Sequence, residues 1–359
     1  MENKVILNPI LPAAGVRWNT ATDGGTGPPL GGHYDDRTLN PQGRVLSDHS
    51  TPSNALLRCR RPFVMGTFNA CTVREEARLV ELAHCAQEQG VEIRGIQEHR
   101  RVHTEDRIVY HRVVRCTLIT SSVWRNEAQA ATGGVGLMLG SLARKALRRV
   151  YHHTDRILIA EFSGNPVTTV IVVYSPTNVA PSEEVEKFYE DLTTSVRDIP
   201  AHNFLAILGD FNARLGPEDV PFPYHDSTNR NGTHLTALLM EHQLLAANTM
   251  YRKRAGKRWT FRDRATGTVR QLDYILVRQK WRSSILNAEP YSTFSSVGSD
   301  HRVVSMRVRL SLRVPKQAPR SGATGRHSQL ILACKPGTRR RSGGAFISWT
   351  WELSPTVNT

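Results

Sequence analysis

The chain has 359 residues, 39% of them apolar, and carries 47 Lys and Arg against 32 Asp and Glu for a net charge of +15. That length allows one large domain or two with a substantial core, while no stretch approaches the roughly 18 consecutive apolar residues of a membrane span, so no membrane association is expected. The basic surplus favours a polyanionic partner over a neutral small molecule, and the five scattered cysteines, with no CxxC pair, exclude both a disulfide framework and a zinc-type cluster.

Residues 1–58 run through "TDGGTGPPLGGH" and offer no periodic apolar face, so they are expected to be a disordered extension. Asn8, Pro9 and Pro12 interrupt the apolar start, and no basic segment precedes it, so no secretory leader is expected. From residue 59 a regular alternation begins. "PFVMGTFN" (62–69) reads as a strand, and "REEARLVELAHCAQEQ" (74–89) as an amphipathic helix with Ala77, Val80, Leu82 or Ala83, and Cys85 on one face, closed by Gly90. "VEIRGIQ" (91–97), "GGVGLMLG" (133–140), "RILIAEF" (156–162) and "VTTVIVVYS" (167–175) are further strands. Ser182, Glu183 and Glu184 open a helix running to about Arg197. After the strand "FLAILG" come a helix around 233–243, strands at "RWTFRD" and "TVRQLDYILV", and a last strand at "HRVVSMRVRL". The mixture, with long strand-only stretches, points to α/β packing of two sheets face to face with helices outside. One domain is expected over 59–311, followed by a basic, mostly disordered tail over 312–359. Removing both tails still leaves the middle of the chain at +8.

Polar residues recur where these strands end. "LAILGDFNARLG" (205–216) breaks from an apolar run into Asp210 and Asn212, "GIQEHR" ends a strand at Glu98, "TFNA" ends one at Asn69, and "GSDHRVV" sets Asp300 and His301 before another. Each alone has a plain explanation, an Asx turn or a solvated strand end. Asp273, inside "LDYILV", is harder to dismiss, because a strand carboxylate among apolar neighbours needs a cationic or proton-donating partner. If the strand ends converge, the site combines carboxylate and amide oxygens with one histidine and no thiol ligand, which suits Mg²⁺, with Mn²⁺ as the alternative. Such a site matches phosphodiester hydrolysis. No nucleophile elbow and no Walker loop is present, so acyl transfer and nucleoside-triphosphate chemistry drop out.

The ordered motifs "TFNA", "GIQEHR", "VVYSPTN", "LGDFNA", "NRNG", "RWTFRD", "QLDYILV" and "GSDHRVV" resemble the endonuclease/exonuclease/phosphatase family over about residues 62–310, most closely its RTE-type non-LTR retrotransposon endonucleases. The resemblance implies a four-layer α/β sandwich. It also implies roles. Glu98, with Asn69 and Asp300, would hold Mg²⁺; Asp210 would orient and deprotonate the attacking water; Asn212 would bond the phosphate or that water. His301 would stabilise the oxyanion with Asp273 fixing its tautomer, and Tyr174 would contact the phosphate. Asn229 and Asn231 would line the nucleic-acid groove. Arg258, Arg262, Arg264 and Arg270, around Trp259 and Phe261, are basic residues interleaved with aromatics and suit backbone contact.

The resemblance has two departures. Cys71 stands where the family's repair apurinic endonucleases carry a further Asp, and Arg270 where they carry a Trp, so nicking of ordinary DNA is expected over abasic-site cleavage. The inositol-phosphatase branch reads Cys-Asp-Arg where this chain has "LDYI", which disfavours it. The expectation is thus an Mg²⁺-dependent endonuclease on DNA that leaves a 3′-hydroxyl, a truncated or domesticated copy with no obligate protein partner. The "TRRR" run at 338–341 and the substrate suggest the nucleus. The rival expectations are a catalytically inactive nucleic-acid-binding remnant and a phosphatase of small phosphoesters.

Overall fold

Alternating side chains decide the layers. In β13 (Phe204–Asp210) every position is buried, Ala206 and Leu208 toward one apolar cluster and Leu205 and Ile207 toward another. A strand apolar on both faces must lie between two other layers. In the computed structural model, which describes residues 39–40, 43–45, 61–102, 108–121, 123–125, 131–291 and 298–310, those layers are a second sheet and a pair of helices. The two tails beyond residues 39–45, Cys59, Cys334 and the 338–341 run lie outside the described residues.

The first sheet runs, neighbour to neighbour, β1 (Leu39–Asn40), β2 (Gly43–Val45), β10 (Leu147–Thr154), β11 (Ile157–Phe162), β12 (Thr168–Tyr174), β13, β17 (Asp273–Arg278) and β14 (Leu244–Ala246). The second runs β18 (Ile285–Pro290), β19 (Val304–Val308), β3 (Phe63–Asn69), β4 (Val91–Gln97), β9 (Val135–Leu139), β6 (Cys116–Ser121) and β5 (Ile108–Val113). Two small hairpins stand apart, β7 (Trp124–Arg125) with β8 (Ala131–Thr132) and β15 (Phe261–Arg262) with β16 (Val269–Arg270). Met65, Ile93, Leu137, Val172, Leu208, Ile275 and Met306 meet between the two large sheets. Helices α3 (Ser182–Arg197) and α4 (Arg230–Glu241) cover the outside of the first sheet, and α1 (Glu76–Glu88) covers the second. The short α2 (Ser141–Ala146) packs Ala143 and Ala146 into the inter-sheet core. The expected sandwich of two sheets between helices is what forms. No helix among the described residues is long and apolar enough to cross a membrane.

Local sequence explains the helices. On α3, Val185, Phe188, Tyr189, Leu192 and Val196 recur at helical spacing and are buried, each large side chain contributing about 1.5–3 kcal/mol; Glu183 and Glu184 in its first turn favour the positive end of the helix dipole. On α1 the buried stripe is Leu79, Leu82, Ala83 and Ala86, whereas the sequence reading placed Ala77, Val80 and Cys85 on it. Leu79 and Ala86 bury instead because the stripe is set by the side chains that reach the sheet, and Ala77 lies on the exposed face.

Two parallel strand pairs position the site. β3 and β4 are parallel, with α1 between them in sequence, and β12 and β13 are parallel, with α3 between them. Ligand sites in open α/β sheets lie beyond the carboxyl ends of such strands. Here the ends at Asn69, Gln97, Tyr174 and Asp210 share one edge of the sandwich, joined by the start of β17, where Asp273 pairs across to Asp210. The expected strand over "TVRQLDYILV" is in fact two, interrupted at Gln271 and Leu272, so Asp273 opens a strand rather than sitting inside one. Gly209 allows this corner: a Cβ there would stand 2.2 Å from Val173 Cγ2 and 2.7 Å from the Val173 carbonyl oxygen.

Candidate active site

The centre is a buried triad. His301 Nδ1 lies 3.0 Å from Asp273 Oδ2, and His301 Nε2 lies 3.8 Å from Asp210 Oδ2. One ligand atom from each of the three falls within 4.8 Å of the others. The demand raised by Asp273 is met by an imidazole from 28 residues away. Phe261 pairs with His301 in an isolated bridge and packs its ring 5.0 Å from the imidazole.

Each member is held by its surroundings. Thr260 Oγ1 accepts from the backbone N–H groups of Leu272 and Asp273 at 2.9 and 3.1 Å, and Asn248 Nδ2 donates to the Asp273 carbonyl. Asp210 Oδ1 accepts from the N–H of Asn212 at 2.9 Å, an Asx turn with Asn212 in the left-handed region at φ 47°. The His301 N–H donates to Ser299 Oγ, which itself donates to the Asn69 carbonyl at 2.7 Å.

Asn69 ties the two sheets together. Its Nδ2 donates to Glu98 Oε1 at 2.9 Å and to Asp210 Oδ2 at 3.0 Å, while its Oδ1 accepts from the Cys71 N–H. Asn69 Oδ1, the oxygen expected at the cation, thus carries one hydrogen bond from the turn, which leaves its second lone pair. Glu98 Oε1 also accepts from Tyr174 Oη at 2.8 Å, and Glu98 Oε2 pairs with Arg100. Tyr174, expected at the phosphate, has its hydroxyl proton on Glu98. Asp300 Oδ1 accepts from Cys71 Sγ at 2.8 Å and stands 4.0 Å from His301 Nε2. Of the eight residues expected at the chemical centre, Asn69, Glu98, Tyr174, Asp210, Asp273, Asp300 and His301 come together at one edge of the sandwich, with Asn212 beside Asp210. Sequence reading missed Arg100, Ser299, Thr260 and Asn248, whose spacing carries no signal.

Electrostatics separate the roles. Burial pushes Asp210 up, Asp273 adds to it, and His301, Asn69 and the Asn212 N–H pull back, leaving it at about 7. Burial would lower His301, but Asp273, Asp210 and Asp300 outweigh it and hold the imidazole at about 9. Burial would raise Glu98, yet hydrogen bonds from Asn69, Arg100 and Tyr174 overcome it and keep the carboxyl below its ordinary value. At neutral pH the site therefore holds an imidazolium beside a partly ionised Asp210.

The donor set fits a hard divalent cation. Asp210, Asp273 and Asp300 stand around one imidazole, with Glu98 joined to Asp210 through Asn69, and Asp273 Oδ1 is buried with no hydrogen-bond partner among the described residues. Burial, with the Asp300 carboxylate beside it, pushes the Cys71 thiol up to about 12, so it is no soft ligand. Side-chain exposure is 14% at Glu98 and 25% at Asp300 against 2% at Asp210 and 0% at Asp273, which makes the first two the carboxylates an ion from solvent reaches.

The expected nucleic-acid residues divide. Asn229 caps α4: its Oδ1 accepts from the N–H groups of Gly232 and Arg214, both at 2.8 Å, and its Nδ2 donates to the Asn212 carbonyl. Asn231 is buried with Nδ2 donating to the Pro176 carbonyl. Asn229 and the Asn231 Nδ2 group thus satisfy the backbone of the loop beneath the site. Arg262 and Arg270 sit on the β15–β16 hairpin, over the Trp259 and Phe261 rings respectively. Arg258 donates to the Pro223 carbonyl and, with Phe222, Arg252, Lys253 and Arg254, lines a cavity of about 470 Å³. Arg302, next to His301, lies 3.1 Å from the Trp259 ring centroid.

No family model matches the chain. Craniofacial development protein 2 of Bos taurus is 28% identical over 284 residues, 76% of this chain and 45% of that protein. The protein of the same name from Tragulus javanicus is 27% identical over 312 residues, 84% of this chain and 52% of that one. The chain thus spans about half the length of the curated relatives it matches. Among solved structures, the AP endonuclease LMAP from Leishmania major aligns over 75% of this chain and 97% of its own at 13% identity and TM-score 0.54. The 3′-5′ exonuclease NExo from Neisseria meningitidis aligns over 69% and 100% at 18% identity and TM-score 0.53. The 3′ phosphatase form of NExo from Neisseria, bound to product DNA hairpin, aligns over 68% and 99% at 17% identity and TM-score 0.51. At these identities the likeness is one of fold.

Proposed function

We propose that this chain, which has the endonuclease/exonuclease/phosphatase fold and homologues named craniofacial development protein 2, is a phosphodiesterase that nicks DNA with Mg²⁺ or Mn²⁺. The observation that carries the reading is the Asp210–His301–Asp273 triad, buried beside the more open Glu98.

In this reading Glu98 and Asp300 would hold the cation, which when bound would supply charge to polarise the phosphoryl oxygens. Asp210 takes a proton from the attacking water, a task suited to a carboxyl raised to about 7. His301 keeps Nδ1–H on Asp273, so Nε2–H points at the pocket and donates to the phosphoryl oxygen on which charge develops. The water oxygen bonds to phosphorus, the P–O3′ bond breaks, and the leaving 3′ oxygen is protonated to a 3′-hydroxyl. Tyr174 and Asn69 act through Glu98 and Asp210 by fixing their carboxylates. The rim of Arg258, Arg262, Arg270 and the cavity arginines meets the phosphate backbone. A nuclear location follows from that substrate.

Supercoiled plasmid tests the reading. Purified chain with Mg²⁺ should convert it to nicked circles, and a chelator should stop this. Asp210→Ala should abolish nicking and keep DNA binding. A wild-type chain that binds plasmid without nicking it supports the non-catalytic remnant instead, and faster turnover of small phosphoesters than of plasmid supports a phosphatase.

A further inference from the structure

The segment after β4 folds into an unusual turn. Glu98 and Arg100 both adopt the left-handed region, each at φ 52°, a conformation uncommon for residues other than Gly, Asn and Asp. Two such residues flanking one position persist only where the surroundings enforce them. The surroundings here do. His99, between them, is fully buried and accepts the Arg101 N–H on Nδ1 at 3.0 Å, while its carbonyl accepts from the Val73 N–H. Gly134, at φ 86°, lies so close that a Cβ on it would fall 2.5 Å from His99 Nε2. The Arg100 N–H donates to the Gly133 carbonyl, and Arg101 Nη1 donates to the Val73 carbonyl.

This turn aims one side chain. Arg100 Nη2 lies 2.5 Å from Glu98 Oε2, the oxygen that Asn69 and Tyr174 leave open, since both of them bond Oε1. Arg100 is also 41% exposed at its side chain, so water is free to receive it. A Mg²⁺ ion binds carboxylate oxygen at about 2.0–2.1 Å and demands near-octahedral space. A guanidinium in contact with Glu98 Oε2 occupies one side of that oxygen and repels a divalent ion approaching the same carboxylate.

We propose that Arg100 is a built-in counter-cation that occupies the divalent-ion position on Glu98 and must swing away before the ion binds, so that it sets the threshold ion concentration of the site. This rests on the reading of Glu98 as a cation ligand. Arg100 is a positioning residue whose effect is on ion affinity: it keeps Glu98 ionised and placed until the ion takes its role.

Isothermal titration of the full chain with Mn²⁺ alone, without substrate, tests this. Arg100→Ala should bind Mn²⁺ at least 10-fold more tightly than wild type, and Arg100→Lys, which keeps a movable charge, should fall near wild type. Arg100→Asn, which tolerates the left-handed region, replaces the alanine variant if circular dichroism shows that one unfolded. Equal or weaker Mn²⁺ binding by the charge-free variants overturns the proposal and leaves the cation site standing. No Mn²⁺ binding by wild type or variants removes both.

Discussion

Asp210 and Asp273 face each other as a cross-strand pair between β13 and β17, both fully buried. Like charges directly opposite destabilise a sheet, and here His301 sits against both carboxylates to compensate. The compensation is partial, since Asp210 stays raised to about 7.

Burial, and after it the Asp273 charge, keeps Asp210 raised, and that sets a stability test. In the unfolded chain Asp210 loses its proton near its ordinary pKa of about 3.9, but in the fold only at about 7. The folded state therefore binds more protons between these values, and the contribution, full below about 4, is lost as pH rises through about 7. Asp210→Asn removes the loss. Urea unfolding of the ion-free chain should show the variant gaining on wild type as pH rises from about 4 to about 8, while its hydrolysis falls by about 10²–10⁴-fold, the usual share of a general base. A variant that gains nothing on wild type over that range would contradict the buried charge.

His301 gives a second pH window. Its pKa is held at about 9 by the aspartates against burial, which acts to lower it. Its stabilising contribution is full below about 6.5 and is lost as pH rises through about 9. Replacing Asp273 with Asn deletes the largest support and leaves burial to dominate. The basic limb of the pH–rate profile should then move from near 9 to lower pH, with a fall in kcat. An unchanged basic limb would mean that another group titrates there.

Much of this site was legible because its parts are polar residues at the ends of apolar runs. Asp210 after "LAILG" and Glu98 after "VEIRGIQ" break a burial pattern that the structure confirms on both strands. Asp273 signalled its partner by chemistry, and His301 is that partner. The failures have a common physical origin. β5 and β10 were not anticipated because the half-buried His111 and the exposed Arg112, Arg148 and Arg149 hide the apolar alternation. The helix cap of Asn229 and the buried bond of Asn231 to the Pro176 carbonyl were not legible, because such amides share a sequence signature with one that lines a groove. Arg100 gave no signal, since its importance comes from a turn whose shape is fixed by His99 and Gly134.

The position of Asn229 is testable as structure. Its side chain makes three hydrogen bonds that close the loop after β13 onto the start of α4. Loss of an N-cap costs about 0.5–2 kcal/mol. Asn229→Ala should destabilise the chain by about that amount, or somewhat more because the Arg214 N–H is orphaned as well. Its DNA affinity, measured where the variant is fully folded, should stay within a few-fold of wild type. A large affinity loss without a stability loss would restore the groove reading.

The basic rim predicts how binding responds to salt. Arg252, Arg254 and Arg258 surround one cavity with Phe222, whereas Lys253 beside them is already paired with Glu289 at 3.0 Å. Among the described residues no ion pair is found for those three arginines; Arg252 and Arg254 are exposed and available to a phosphate backbone, whereas Arg258 is held on the Pro223 carbonyl. Each phosphate contact on duplex DNA contributes about 0.9 to the slope of log affinity against log salt. Arg252→Gln with Arg254→Gln should therefore lower the slope by about 2, whereas Lys253→Gln should change it little. Fluorescence anisotropy with a labelled duplex at several salt concentrations measures both. The contrast between neighbours is the informative part: equal effects from Lys253 and the arginines would reduce the rim to net charge, and a loss confined to the arginines would place the backbone in the cavity.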